Sequence, residues 1–227
     1  MSVWVVLPVK PLNMAKSRLA DVLTPEQRLR FAEGMLRRTL NVTRSTRSVT
    51  GTLVISRDTK ALSIARDLGA RTVQESGAPA LNPALMRATQ LLATWRTESV
   101  LVLPADLPLL TSEDVAGVIR AGGDHERSIV IATDRSSDGT NALFVRPPGL
   151  IAYEYGHHSY QRHLGFAREA DAHVVEYKSE NLQFDLDLPQ DIVDLYRTLI
   201  GQPLVRGVSL TEAFDAIQAA LERRVVE

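Results

Sequence analysis

The sequence predicts an α/β fold: a three-layer α/β/α arrangement with helices on both faces of a mostly parallel, mixed sheet. Three observations carry this. Apolar runs of strand length at residues 3–7, 52–56, 100–103 and 128–132 alternate with stretches of helical period, the pattern of crossover-linked parallel strands. The run VLVL at 100–103 has no polar position, which suits a strand covered on both faces. Only the polar loop DRSSDGTN separates 128–132 from 142–145, with no helix between them, so this pair is expected to be antiparallel and the sheet mixed.

The first strand, VWVVL, is expected to break at Pro8 into the loop PVKPLNMAKSRLA. Thr24, Pro25 and Gln27 supply a cap, a first-turn proline and a capping-box partner for a long helix with Leu29, Ala32, Leu36 and Leu40 on one face. After the strand at 52–56, Asp58 starts a helix that turns Leu62, Ala65 and Leu68 inward and ends at Gly69. A short strand near 72–74 leads into a loop containing Gly77, Pro79 and Asn82, and Pro83 opens the helix that runs on over 84–95. Asn82 is either the cap of that helix or a group that hydrogen-bonds a base or ribose. Past the strand at 100–103, Thr111 and Asp114 form a capping pair for a helix through Val115, Val118 and Ile119. Ser159 is placed to cap a helix containing Leu164 and Ala167, and a strand follows at 172–177. In FDLDL at 184–188, alternation puts Asp185 and Asp187 on one face and Phe184, Leu186 and Leu188 on the other. Pro189 and Asp191 then open a helix through Ile192, Leu195 and Leu199. Residues 1–200 read as one domain. Residues 201–227 read as a linker and an amphipathic helix, 211–224, that packs on the same body or on a second subunit of a homodimer.

Composition narrows the function classes. At 44% apolar and 23% charged, with a net charge of -1, the 227 residues are those of an ordinary globular chain without a basic footprint for nucleic acid or an anionic membrane. The absence of cysteine excludes disulfides, thiolate metal sites and cysteine nucleophiles. No apolar run approaches the roughly 20 residues that span a bilayer, and the apolar start is too short for a signal peptide, so a cytoplasmic setting is expected.

The candidate site lies where strands end. Asp106 follows the buried run at 100–103, and because Thr111 takes the capping duty it has no evident local task beyond a turn. In open α/β sheets ligands sit beyond the carboxyl ends of strands, and acids there hold divalent cations for phosphate chemistry. Lys10, Lys16 and Arg18 follow the first strand and form a set of cations for a triphosphate, in a loop that has no glycine and so is neither a Walker loop nor a dinucleotide fingerprint. Gly156 leaves room for a ligand, and a helix start with a serine hydroxyl at Ser159 is an anion site. His157, His158 and His163 have no metal-ligand spacing and read as surface or pocket polar groups.

PVKPLNMAKSRLA, LNPAL, LPADLPLL, DGTNALFVRPP, YGHHSYQRH and FDLDLP, in this order over most of residues 1–200, resemble a family of guanylyltransferases that activate a three-carbon phosphoacid in the biosynthesis of the deazaflavin coenzyme F-420. The resemblance implies a nucleotide-diphospho-sugar transferase (GT-A-like) fold and a Mg²⁺-dependent transfer of GMP from GTP, with phosphoenolpyruvate or 2-phospho-L-lactate as acceptor. It further implies that Thr140, Gly156 and Ser159 hold the acceptor, that Asp106 with Asp185 or Asp187 holds the metal, and that Lys10, Lys16 and Arg18 face the triphosphate. Asn82 would read the base, with Lys16 beside the nucleotide, and a downstream transferase would receive the activated product. The rival readings are 3-phosphoglycerate, a sugar phosphate or molybdopterin as acceptor, a glycosyltransferase, and a non-catalytic nucleotide-binding module.

Overall fold

In the computed structural model, which describes residues 2–76, 80–201 and 210–223, seven strands form one sheet. They are β1 (Val3–Val9), β2 (Gly51–Ser56), β3 (Arg71–Gln74), β4 (Ser99–Val102), β5 (Ser128–Thr133), β6 (Thr140–Arg146) and β7 (His173–Glu176), in the spatial order β3-β2-β1-β4-β6-β5-β7. β6 is antiparallel to β4 and β5 and the other pairings are parallel, so the sheet is mixed and its reversal falls at the expected loop.

The helices are α1 (Pro25–Ser45), α2 (Thr59–Asp67), α3 (Leu81–Thr94), α4 (Ser112–Ala121), α5 (Ser159–Glu169), α6 (Glu180–Gln183), α7 (Pro189–Ile200) and α8 (Leu210–Arg223). Three start as the sequence dictates. The Thr24 and Gln27 side chains exchange hydrogen bonds with each other's backbone N–H at α1, Thr111 and Asp114 do the same at α4, and Asp58 accepts from the N–H groups of Lys60 and Ala61 at α2.

One buried cluster joins the sheet to α1, α2 and α4, and another joins its opposite face to α3 and α5, giving the three layers. A third lies beyond the sheet edge. There Leu19 and Leu23 from the loop after β1 meet Phe184 and Leu186, α7, and Ala213, Phe214 and Ile217 of α8. The Phe214 and Phe31 rings lie 5.0 Å apart, so α8 packs on the body of its own chain and braces the segments that carry the charged residues.

Several expectations are corrected. β1 does not stop at Pro8 but pairs with β2 through Val9. Even-numbered residues of β1 face β4, as the bonds from Leu103 N–H to the Val6 carbonyl and from Ser99 N–H to the Ser2 carbonyl show, and β4 ends opposite Val6; the N–H that proline lacks therefore has no strand to serve. Asn82 does not cap α3, because the helix begins at Leu81 with Ala80 at the cap. Ser159 does not cap α5 either: it is the first helical residue, behind His158 in a left-handed conformation (φ 57°). Residues 184–187 belong to no strand of the sheet, and Leu188 is 52% exposed instead of inward. Gly77, Pro79, residues 202–209 of the linker and Arg224 lie outside the described residues.

Candidate active site

The carboxyl ends of β1 and β4 and the amino end of β6 meet at one edge of the sheet, because β6 runs against its neighbours. Three chain segments converge there. After β4, Leu103, Leu107 and Leu110 are buried in the main cluster, and Asp106 stands half-buried on the loop between these apolar anchors. After β1 the chain makes two short 3-10 turns, Leu12–Met14 and Ser17–Leu19, joined by Lys16 at φ 54°. A lysine in that region is strained by about 1 kcal/mol, and the conformation carries its side chain to the acids. The third segment, FDLDL, keeps the predicted alternation through Asp187, with Phe184 and Leu186 buried and both aspartates half-buried, and loses it at the exposed Leu188.

The result is a compact charge cluster. The Lys16 ammonium, its side chain 6% exposed, donates to Asp106 Oδ2 at 2.8 Å and to Asp187 Oδ1 at 3.0 Å, while Arg18 reaches Asp187 Oδ2 at 3.3 Å. Burial works against the ammonium, but the charges of Asp106 and Asp187 more than offset it and hold its pKa above the ordinary 10.5. Asp185 responds the other way. Burial, and then the neighbouring charges of Asp106 and Asp187, push its carboxyl up to about 6. Lys10, directly after β1, is exposed and joins no ion pair among the described residues.

Residues outside the expected set fix this geometry. Asp191 accepts the backbone N–H groups of Asp187 (2.8 Å) and Leu188 (2.6 Å), which sets where the Asp187 carboxylate points. Arg135 pairs with Asp191 and lies over the Phe184 ring at 4.3 Å. Asn141 donates to the Leu182 carbonyl at 2.9 Å, tying β6 to the same segment.

Beside the charge cluster lies a second group. Thr140 opens β6, Gly156 has φ 128° with nothing within 4 Å of a built Cβ, and Ser159 begins α5 with only 2% of its surface exposed. Asp138 ties this corner together. Its carboxylate accepts from the His158 N–H at 3.0 Å and lies 2.7 Å from His158 Nδ1, and its carbonyl accepts from Tyr160 N–H at 3.0 Å. Asn82 reaches in from α3, with Oδ1 accepting from Tyr155 N–H at 2.8 Å and Nδ2 donating to the Tyr155 carbonyl at 3.3 Å. His163, which reads in the sequence only as a surface or pocket polar group, is buried on α5 and bonded to Thr140 and to Glu154. Its signal was available: His163 is four residues past Ser159 and shares the inward face with Leu164 and Ala167.

A site of this kind can neutralise and hold phosphates with fixed cations, hold an oxygen-liganded cation with its acids, and present hydroxyl and backbone donors to a second anion. Among the described residues no three His, Cys, Asp or Glu side chains form a metal cage by themselves. None of the described helices is long and apolar enough to cross a membrane.

Comparison with known proteins gives a consistent result. The family model described as guanylyl transferase CofC like matches residues 3–201. A phosphoenolpyruvate guanylyltransferase of Rubrobacter xylanophilus is 38% identical over 195 residues, covering 86% of this chain and 94% of the relative. A 2-phospho-L-lactate guanylyltransferase of a Methanocaldococcus species is 28% identical over 193 residues, covering 85% and 80%. Among solved structures, one from Desulfovibrio desulfuricans described as a nucleotide-diphospho-sugar transferase superposes with a TM-score of 0.73 at 18% identity over 99% of both chains, a likeness of fold.

Proposed function

We propose that this chain, which belongs to the CofC-like family of guanylyl transferases, transfers GMP from GTP to phosphoenolpyruvate, releasing pyrophosphate and making enolpyruvoyl-2-diphospho-5'-guanosine for coenzyme F-420. The observation that carries it is the buried Lys16 ammonium held between Asp106 and Asp187, with Arg18 and Asp185 alongside, at the carboxyl edge of a nucleotide-binding type of sheet. The Rubrobacter relative, 38% identical and named for phosphoenolpyruvate, favours that acceptor over the 2-phospho-L-lactate of the 28% identical archaeal one.

In this reading a phosphate oxygen of the acceptor attacks the α-phosphorus of GTP in line. The new oxygen–phosphorus bond forms as the bond to the β-phosphate oxygen breaks, and pyrophosphate leaves with that electron pair. The nucleophile is already an anion, so no side chain removes a proton, and the task is to bring two anions together while charge builds on the leaving group. Lys16 and Arg18, with Lys10 further out, hold the triphosphate; Thr140, the backbone around Gly156 and Ser159 hold the acceptor. Asn82, both of whose side-chain groups bond the Tyr155 backbone, holds the segment that leads into Gly156.

Mg²⁺ fits the acids present. It is commonly held by one or two carboxylates with substrate phosphates and waters, not by a complete protein cage, and Asp106 with Asp185 or Asp187 offers such a set. Burial first, and then the charges of Asp106 and Asp187, raise the pKa of Asp185, and a dication bound there would favour its ionised form. When bound, the ion would neutralise charge developing on the pyrophosphate. Such chemistry belongs in the cytoplasm, where GTP and phosphoacids are supplied, and its product passes to a downstream transferase.

The test is pyrophosphate release from purified protein with Mg²⁺ and GTP, with phosphoenolpyruvate, 2-phospho-L-lactate, 3-phosphoglycerate, a sugar phosphate or no acceptor, repeated with ATP and CTP. Release that requires GTP and phosphoenolpyruvate is expected. Release with another acceptor alone would reassign the substrate, and GTP binding without release from any acceptor would point to a binding module.

A further inference from the structure

Resting on that reading, we propose that His163 is a positioning residue for the acceptor: it donates from Nδ1 to Thr140 and so turns the Thr140 hydroxyl proton toward the incoming anion, while its Nε2 pins the backbone that leads into Gly156. The donor assignment follows from the partners. The N–H of Glu154 can only donate, and it lies 3.0 Å from His163 Nε2, so that nitrogen carries a lone pair. A neutral imidazole then bears its single proton on Nδ1, which is 3.0 Å from Thr140 Oγ1. Burial, reinforced by the Arg162 guanidinium, holds the ring's pKa down at about 4, so it is neutral at physiological pH. Arg162 also pairs with the Glu154 carboxylate at 3.4 Å, and the Tyr155 ring meets the imidazole edge-on at 4.9 Å.

The consequence falls on Thr140. Its hydroxyl has one proton and accepts from His163, and among the described residues no other partner takes that proton. The hydroxyl is thereby preset as a donor, the polarity that a phosphate or carboxylate requires. His163 does a second thing through the same ring. Held at Nε2, the backbone of Glu154 is fixed immediately before Tyr155, which Asn82 clips from α3 with two hydrogen bonds. Residues 154–155 are therefore held from two helices just before the chain turns at Gly156. A fully buried histidine with both nitrogens engaged links the hydroxyl to the loop, and no solvent or charge-bearing role competes for it.

Two amide variants separate the ring's two contacts. His163→Asn places an amide near Nδ1 and retains a donor to Thr140; His163→Gln places its amide near Nε2 and retains an acceptor for the Glu154 N–H. The expected result is that His163→Gln raises the KM for phosphoenolpyruvate about fivefold to tenfold, the loss of one hydrogen bond, with the KM for GTP and kcat within about twofold. His163→Asn keeps the donor to Thr140 but leaves the Glu154 N–H without its acceptor. It should therefore raise the KM for phosphoenolpyruvate through the Gly156 backbone, and that rise should persist in a Thr140→Val background, whereas His163→Gln added to Thr140→Val should be no worse than Thr140→Val alone. Equal effects on both substrates, losses that add when His163→Gln is combined with Thr140→Val, or an acceptor KM unchanged in His163→Asn would overturn the proposal. Ring-nitrogen NMR of the unliganded wild type reads the tautomer directly and independently of turnover: a proton on Nδ1 is required, and a proton on Nε2 refutes the proposal. A wild type with that tautomer but no GTP-dependent turnover would instead refute the guanylyltransferase reading.

Discussion

Asp185→Asn should make the metal-free protein more stable at neutral pH. The carboxyl rises from the ordinary 3.8 to about 6, a difference of about 2 pH units. At 1.36 kcal/mol per unit that corresponds to about 3 kcal/mol, and because water still reaches the group, screening reduces the expected gain to ~1–2 kcal/mol. The sign follows from proton linkage. The native carboxyl binds its proton more tightly than the unfolded chain does, so ionising Asp185 opposes folding. That opposition is absent below about pH 4, grows between about pH 4 and pH 6, and is constant above. Asparagine has nearly the same shape and removes the charge. Urea denaturation with a chelator present, followed by tryptophan fluorescence, should show the gain at about pH 7 and its disappearance near pH 4, at unchanged m-value. A variant equal to or weaker than wild type at neutral pH, or a gain independent of pH, would refute the claim that burial, with Asp106 and Asp187 nearby, raises this carboxyl's pKa. The same substitution should lower Mg²⁺-dependent turnover, the exchange of stability for function that charged sites show.

Asp106→Ala removes one of the two acids that hold the Lys16 ammonium and should abolish pyrophosphate release while leaving the circular dichroism spectrum intact; near-normal turnover would sink the metal assignment. Ser159→Ala should raise the apparent KM for the acceptor several-fold and leave that for GTP within about twofold, measured by initial rates. Phe214→Ala empties a fully buried position against Phe31 and should cost ~3–5 kcal/mol of unfolding free energy by urea titration, a direct measure of how firmly α8 holds the third core.

Where local rules decide, the chain was legible. The Thr24–Gln27 and Thr111–Asp114 boxes formed because each satisfies backbone donors within one turn, and the period-two pattern of FDLDL sent both aspartates to the cleft although no strand pairs there. Asn82 and Ser159 misled for one reason: a cap-type residue signals a helix start, but Asn82 is drawn to Tyr155 by a contact 73 residues away, and the left-handed His158 takes the cap position ahead of Ser159. Lys16, Arg18 and Asp187 were individually visible as candidates. Their direct ion pairs were not, since Lys16 and Asp187 are 171 residues apart and the segments that carry them meet in the third core. Asp191 reads in the sequence only as a helix start and His163 only as a surface or pocket polar group, and Arg135 shows no role there, because orienting another group depends on partners distant in sequence.

The central claim is that the GMP unit of GTP moves onto the phosphate of a phosphoacid. The most direct measurement uses GTP labelled at the α-phosphate or at the γ-phosphate, with Mg²⁺ and phosphoenolpyruvate, and follows each label by chromatography. The account predicts the α label in a new diester that contains the acceptor and the γ label entirely in pyrophosphate. A γ label in inorganic phosphate or on the acceptor, or an α label that never leaves GTP, would contradict it.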